Sequence, residues 1–165
     1  MANETNTMPY NRDAEMALLG CFLMDNDIVA ELIEKLGEDD FYLETHKFIL
    51  HAMQKVFNGR KPIDLVTVSD DLESEGNLEK AGGIMYLTDL TQITPSAANY
   101  KSYQEIVTRD SMNRRLIRAS RKIIETSMKS GDERESLAFA EKSIYDISKQ
   151  TERSALLSMK DDDII

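Results

Sequence analysis

The chain has 165 residues, of which 41% are hydrophobic and 30% charged, enough for one medium core or a small domain with an appendage. Twenty Lys+Arg against thirty Asp+Glu give a formal charge of −10, which argues against a stand-alone binder of duplex phosphates. A single cysteine, Cys21, excludes an intramolecular disulfide framework, and a polar start with no long apolar run predicts no membrane span, no signal peptide and a cytoplasmic location.

In chain order the pattern reads as helices. Asn11 precedes Arg12-Asp13-Ala14-Glu15 as an N-cap with acids in the first turn. Ala14, Ala17, Leu18, Cys21 and Phe22 then recur on one face to near Met24. Gly20 inside that helix costs about 1 kcal/mol against Ala, so its presence predicts a close helix contact there. Asp25 caps a second helix through Ile28, Val29, Leu32, Ile33 and Leu36, stopped by Gly37, and Asp39 to Tyr42 form a turn with an aromatic plug. Phe48, Ile49, Ala52, Met53, Val56 and Phe57 mark a third helix closed by Asn58-Gly59. Pro62 and Asp64 open a fourth, running from Val66 to Glu75, and Gly82-Gly83 precede a fifth that ends before Pro95.

The last third differs. From about Ala98 to Lys129 neither Gly nor Pro interrupts, which predicts a helix of roughly 45 Å. Ser130-Gly131-Asp132 marks a stop and restart, and a partner helix of about 27 Å is expected from Glu133 to Gln150. Leu116, Ile117, Ser120, Ile123, Ile124 and Ser127 face that partner, which offers Leu137, Ala140, Ile144 and Ile147 in coiled-coil spacing, while Tyr103, Ile106 and Val107 pack on the preceding helices. The expected fold is all-α: a compact multi-helix head followed by a long protruding antiparallel hairpin. Its divisions are a flexible tail at 1–10, the head at 11–97, the hairpin at 98–150 and the start of a linker at 151–165.

Two helices share only one seam, so apolar surface left over predicts contact with a second copy. Phe139 and Tyr145 lie off the seam stripe, and the expected oligomer interface is Leu116, Ile117, Ile123, Ile124, Leu137, Phe139, Ala140, Ile144, Tyr145 and Ile147. Charge is uneven: residues 1–95 carry 18 acids and 7 bases, whereas residues 96–129 carry 3 acids and 8 bases. Within that basic stretch Arg114, Arg115, Arg118, Arg121 and Lys122 form a face for an acidic partner or a single-stranded nucleic acid, although no aromatics interleave with them for base stacking. A solvated face, or ion pairs with acidic heads of other copies, is the simpler reading.

Enzyme signatures are missing. The chain has no phosphate loop, no dinucleotide fingerprint and no H-E-x-x-H. His46 and His51 are five apart, about 140° around a helix, so they do not converge on one metal. Cys21 sits on an apolar stripe with no nearby base in its helix, which reads as buried and inert. No catalytic, cofactor-binding or metal-binding residues are assigned, and the chain by itself is not expected to be a catalyst.

Several blocks taken together resemble the start of the replicative DNA helicase family, DnaB. They are Pro9-Tyr10-Asn11-Arg12-Asp13-Ala14-Glu15 with Leu18-Leu19-Gly20; Asp39-Asp40-Phe41-Tyr42 with His46; Pro62-Ile63-Asp64-Leu65-Val66-Thr67; Gly82-Gly83 with Tyr86-Leu87; and Pro95-Ser96-Ala97-Ala98-Asn99 with Tyr103 to Val107. Arg114-Arg115-Leu116-Ile117 is similar to the segment that follows, and the resemblance covers roughly residues 9–150. It implies the family's N-terminal domain, a helical head with a hairpin that forms the collar of a ring-shaped hexamer, a trimer of dimers, and docks primase. It further implies ATP-dependent 5′→3′ DNA unwinding by a C-terminal RecA-like motor that uses ATP and Mg2+, with DNA encircled by the ring and a helicase loader as a further partner. The chain stops before such a motor, so the resemblance implies a piece of a longer helicase, and no cofactor is expected in this piece. A stand-alone adaptor or loader-type protein, or a nucleic-acid module using the Arg114–Lys122 face, are the alternatives.

Overall fold

The computed structural model describes residues 7–94 and 96–162, with side chains described as far as residue 152. Its described residues form seven α-helices and two short 3₁₀ turns: α1 (Arg12–Met24), α2 (Asn26–Leu32), α3 (Glu44–Asn58), α4 (Leu65–Ser74), α5 (Gly83–Ile93), α6 (Tyr100–Lys129) and α7 (Glu133–Asp162), the turns being Glu38–Asp40 and Ala97–Asn99. No strand is present among the described residues, so the all-helical expectation holds. The chain divides into two compact units, one from Tyr10 to Ser111 and one from Met112 onward together with the segment ending at Pro9.

In the Tyr10–Ser111 unit the caps are those the sequence predicts. The Ala14 amide donates to Asn11 Oδ1 at 2.9 Å and the Asp27 amide donates to Asp25 Oδ1 at 2.9 Å, each satisfying an otherwise orphaned donor at a helix start. At α4 the capping box is reciprocal: Thr67 N–H donates to Asp64 Oδ1 at 2.8 Å, and Asp64 N–H donates to Thr67 Oγ1 at 3.0 Å. Helix α1 is buried along its whole middle, from Ala14 to Phe22, and packs on α2, α3 and α5. Around it lie Leu32, Ile33, Phe41, Ile49, Leu50, Met53, Leu72, Leu87 and Leu90. Each such fully buried side chain contributes about 2 kcal/mol relative to exposure.

Gly20 is where α1 meets α5. A Cβ placed there would stand 2.4 Å from the Leu90 carbonyl oxygen and 2.6 Å from Thr94 Oγ1, so the absence of a side chain sets the helix separation. This is the close contact expected from a glycine in mid-helix. The end of α3 departs in detail from expectation: Gly59 has an ordinary φ of −76°, and the left-handed residue is Arg60, at φ 58°. Lys61 N–H donates to the Val56 carbonyl at 3.2 Å across that turn, the long bond of a Schellman motif. Helix α2 also stops sooner than expected, at Leu32, although Leu36 is buried as its apolar character requires.

Part of α6 belongs to this unit, where Val107 is buried and Tyr103 and Ile106 pack against the core. The other unit is an antiparallel hairpin of the remainder of α6 and α7. Thr151 Oγ1 approaches Met112 Sδ to 3.9 Å, a pairing centred on the Ser130–Asp132 turn. At that turn Arg134 N–H donates to Asp132 Oδ1 at 2.9 Å, so Asp132 is the cap; Glu135 reaches Ser130 Oγ at 3.5 Å. Helix α7 is longer than expected. It runs to Asp162 and equals α6 at 30 residues, taking in most of the stretch expected to begin a linker at 151. Of the tail expected at 1–10, residues 1–6 lie outside the described residues, while Pro9 and Tyr10 are held by contacts given below.

Candidate functional site

The hairpin carries every residue for which the sequence predicts an interface. Along α7 the half-buried positions are Ser136, Phe139, Ala140, Ser143 and Ile147, and along α6 they include Ala119, Ile123 and Thr126. These are the seam. The pairing of Thr151 with Met112 sets Ala140 level with Ile123. The expected seam was rotated by one position. Leu137 and Ile144, assigned to it, are 61% and 43% exposed, whereas Phe139, assigned away from it, is half-buried. Ser136, Phe139, Ala140, Ser143 and Ile147 turn toward α6, which leaves Leu137 and Ile144 on the outside of the pair.

The displaced residues share one face. Leu116, Ile124 and Met128 are exposed on α6 at i+4 multiples, and Leu137, Ile144 and Tyr145 are exposed on α7 at spacings of seven and eight. On a helical wheel Ile124, Leu137 and Ile144 lie roughly 100° or a little more from their own helix's seam in the same rotational sense, with Leu116 nearer the seam and Met128 and Tyr145 further round. Because the helices are antiparallel, equal-handed displacements fall on the same side of the hairpin. Ile117 is half-buried at the edge of that stripe. Met128, at 83% exposure the most open large apolar residue among the described residues, lies outside the expected interface although it continues the Leu116–Ile124 spacing. The opposite side is charged: Arg118, Lys122, Glu125 and Lys129 on α6, Glu135, Lys142 and Asp146 on α7.

The predicted basic face is thinner than the sequence suggests. Arg114 is buried at 2% exposure and its Nη1 donates to the Pro9 carbonyl at 2.9 Å, so it ties the segment before α1 to the hairpin unit instead of facing a ligand. Arg115 is half-buried and engaged; Arg118, Arg121 and Lys122 are exposed.

Neither histidine is positioned for metal chemistry, and no cluster of metal-ligating side chains occurs among the described residues. His51 is exposed, with Nδ1 2.6 Å from Glu38 Oε1. His46 is fully buried. Its Nε2 shares a 2.6 Å hydrogen bond with the Tyr86 hydroxyl, and its Nδ1 faces Glu15 Oε2 at 3.5 Å. Glu15 Oε1 in turn accepts from the Tyr42 amide at 2.5 Å, and Tyr42 stacks on Tyr10 with centroids 4.5 Å apart. Burial pushes the Tyr86 hydroxyl above the ordinary tyrosine range, and the Arg12 guanidinium opposes that shift. This polar chain joins α1, α3 and α5; it was not legible in the sequence because its members are 27 to 40 residues apart. Cys21 is buried, and desolvation raises its thiol to about 11, which leaves it protonated and inert at neutral pH.

The family model for the DnaB-like helicase N-terminal domain matches residues 7–109. This chain belongs to that family. As a DnaB-like N-terminal domain it is 38% identical over 154 residues to the replicative DNA helicase DnaC of Bacillus subtilis, a match covering 93% of this chain and 34% of that protein. It is 36% identical over 154 residues to the replicative DNA helicase DnaB of Geobacillus stearothermophilus, with the same coverage of 93% and 34%. The chain thus spans about a third of the length of the curated relatives it matches. Its fold matches the crystal structure of the N-terminal domain of DnaB helicase from Mycobacterium tuberculosis with a TM-score of 0.80 and 31% identity, covering 86% of this chain and 99% of that one. A DnaB-like replicative helicase described with its interactions with primase shares the fold at a TM-score of 0.70 and 24% identity, over 83% of this chain and 31% of that one. The family found is the one that the Pro9–Glu15 and Asp39–His46 blocks resemble.

Proposed function

We propose that this chain is the N-terminal collar of a ring-forming replicative DNA helicase, and that it organises the ring instead of performing chemistry. Two copies pair hairpin to hairpin through the apolar face of Leu116, Ile124, Met128, Leu137, Ile144 and Tyr145, and a second contact between pairs closes a hexamer as a trimer of dimers. Two self-complementary contacts at an angle suffice for such closure. The one-sided exposure of large aliphatic side chains on a two-helix unit carries this reading, because isolated apolar patches of that kind are stabilised by being covered. Family membership supports the rest: the collar docks primase and receives a loader, and a motor domain in the longer protein uses ATP and Mg2+ to unwind DNA 5′→3′. The collar surrounds the strand and needs little phosphate affinity of its own, in keeping with a net charge of −10.

Sedimentation equilibrium of the chain and of Ile124→Asp/Ile144→Asp tests the pairing. The parent self-associates with rising concentration, and the double variant stays monomeric with unchanged helicity. Lys122→Glu, on the charged side, leaves the association in place. Equal association by parent and double variant would reject this face. Binding of the chain to single-stranded oligonucleotides with a steep salt dependence would favour a nucleic-acid module instead.

A further inference from the structure

A second surface, on the Tyr10–Ser111 unit, is built differently from the hairpin face. This unit holds nineteen acids and nine bases. Seven of the nine bases are engaged within the described structure. Lys47, Lys55 and Arg109 make ion pairs with Glu44, Asp71 or Glu75, and Asp110; Arg12 hydrogen-bonds the Tyr86 hydroxyl. Lys80 and Lys101 lie over the rings of Phe48 and Tyr100, and Lys35 is also partnered. Arg60 and Lys61 are the two that remain without a side-chain partner among the described residues, and they are consecutive.

Both border a cleft of about 550 Å³ whose other walls are Asn26, Phe57, Asn58 and Pro62. Phe57 is half-buried and gives the cleft an apolar floor. Phe57 and Asn58 also line an adjoining cleft of about 230 Å³ that continues to Ile33, Gln54 and Glu34. The groove therefore has two cations at one end, an aromatic surface in the middle and a carboxylate at the far end. The cationic end is fixed in place: Arg60 is held in the left-handed region at φ 58° by the Arg60 amide on the Phe57 carbonyl and the Lys61 amide on the Val56 carbonyl. The opposite wall is fixed too, since Asn26 Oδ1 accepts from the Ile63 amide at 2.8 Å.

We propose that this groove docks an acidic peptide segment of a partner protein that carries one bulky apolar side chain, its carboxylates on Arg60 and Lys61 and its apolar group on Phe57 and Pro62. Charge complementarity selects this occupant. In a unit with nineteen acids, two consecutive cations beside an aromatic side chain attract an anionic chain, although Lys61 also borders Asp70 and Asp71 on its other side. Glu34 at the far end orients it, because the acidic part of the peptide is driven away from that carboxylate. The site does not depend on the hairpin pairing and stands or falls separately from it.

Fluorescence anisotropy with the full chain tests the proposal. The probe is a fluorescein-labelled peptide of three consecutive acids followed by Leu-Phe, and the controls are the same peptide with Gly-Ser replacing Leu-Phe and one with three lysines replacing the acids. Saturable binding at low salt is expected for the first peptide, weakened roughly tenfold by either peptide change, by 0.5 M salt (roughly), and by Lys61→Glu or Arg60→Glu/Lys61→Glu. Lys61→Glu leaves the left-handed Arg60 untouched, so an unchanged melting curve separates lost docking from lost fold. Equal affinity of the parent and double variant, equal binding of the lysine peptide, or no binding of the first peptide would each overturn the proposal.

Discussion

Replacing Gly20 with alanine sets two physical effects against each other at one atom. In an isolated helix the added methyl stabilises by about 1 kcal/mol, because glycine is the poorer helix former. Here the new Cβ would stand 2.4 Å from the Leu90 carbonyl oxygen and 2.6 Å from Thr94 Oγ1. The carbonyl belongs to the α5 backbone and cannot rotate away, so α5 must retreat from α1 by several tenths of an ångström and loosen the packing of Leu87 and Leu90, both fully buried. Overpacking of this kind costs typically about 1–3 kcal/mol and more when backbone must move, so a net destabilisation of about 2 kcal/mol remains after the propensity gain. For a chain of this length that is a fall in Tm of about 4–8 °C, read by circular dichroism at 222 nm (roughly the helical minimum). Gly131→Ala, where a Cβ meets nothing within 4 Å, is the control and should leave Tm nearly unchanged. Adding Thr94→Ala to Gly20→Ala should recover only part of the loss, since the carbonyl clash persists. An unchanged or raised Tm for Gly20→Ala would show that α1 and α5 do not meet at Gly20 and would refute the packing described.

Three further outcomes follow from other parts of the molecule. Arg60→Gly should stabilise by about 0.5–1 kcal/mol in urea unfolding, because relief of a left-handed non-glycine residue outweighs the entropy glycine adds to the unfolded chain. Tyr86→Phe leaves the buried His46 Nε2 without its partner and should cost about 1–3 kcal/mol, seen as a lower urea midpoint with unchanged slope. Lys55 hydrogen-bonds Glu75 and holds its carboxyl below the usual range, so Glu75 contributes stability that is present above its unfolded pKa and lost as pH falls through the folded one. Glu75→Gln should therefore differ from the parent at about pH 6 and converge with it toward about pH 3, measured as urea midpoints across that range.

What the sequence revealed was local. Asn11, Asp25 and Asp64 announce helix starts because a side-chain oxygen must take up amides that no helix turn can, and the structure places each as a cap. Gly20 announces a contact without naming the partner, since Leu90 and Thr94 lie seventy or more residues away. The hairpin seam was the ambiguous element: on α7 a Leu137–Ile144 stripe and a Ser136–Ala140–Ser143–Ile147 stripe both fit the helical repeat. Hydrophobicity favours the first, but the second, together with Phe139, is the one half-buried in the structure, while Leu137 and Ile144 are exposed. Arg114 read as one of five exposed bases because its acceptor, the Pro9 carbonyl, is 105 positions distant. The full length of α7 is consistent with the sequence, for no Gly or Pro occurs between Gln150 and Asp162.

Whether copies of this chain meet through one face of the hairpin can be read from isoleucine methyl resonances followed through a dilution series. The signals of Ile124 and Ile144 should shift with concentration, while Ile123 in the seam and Ile84 and Ile93, exposed on the other unit, hold their positions. Shifts at Ile84 or Ile93 with Ile124 and Ile144 unmoved would contradict it.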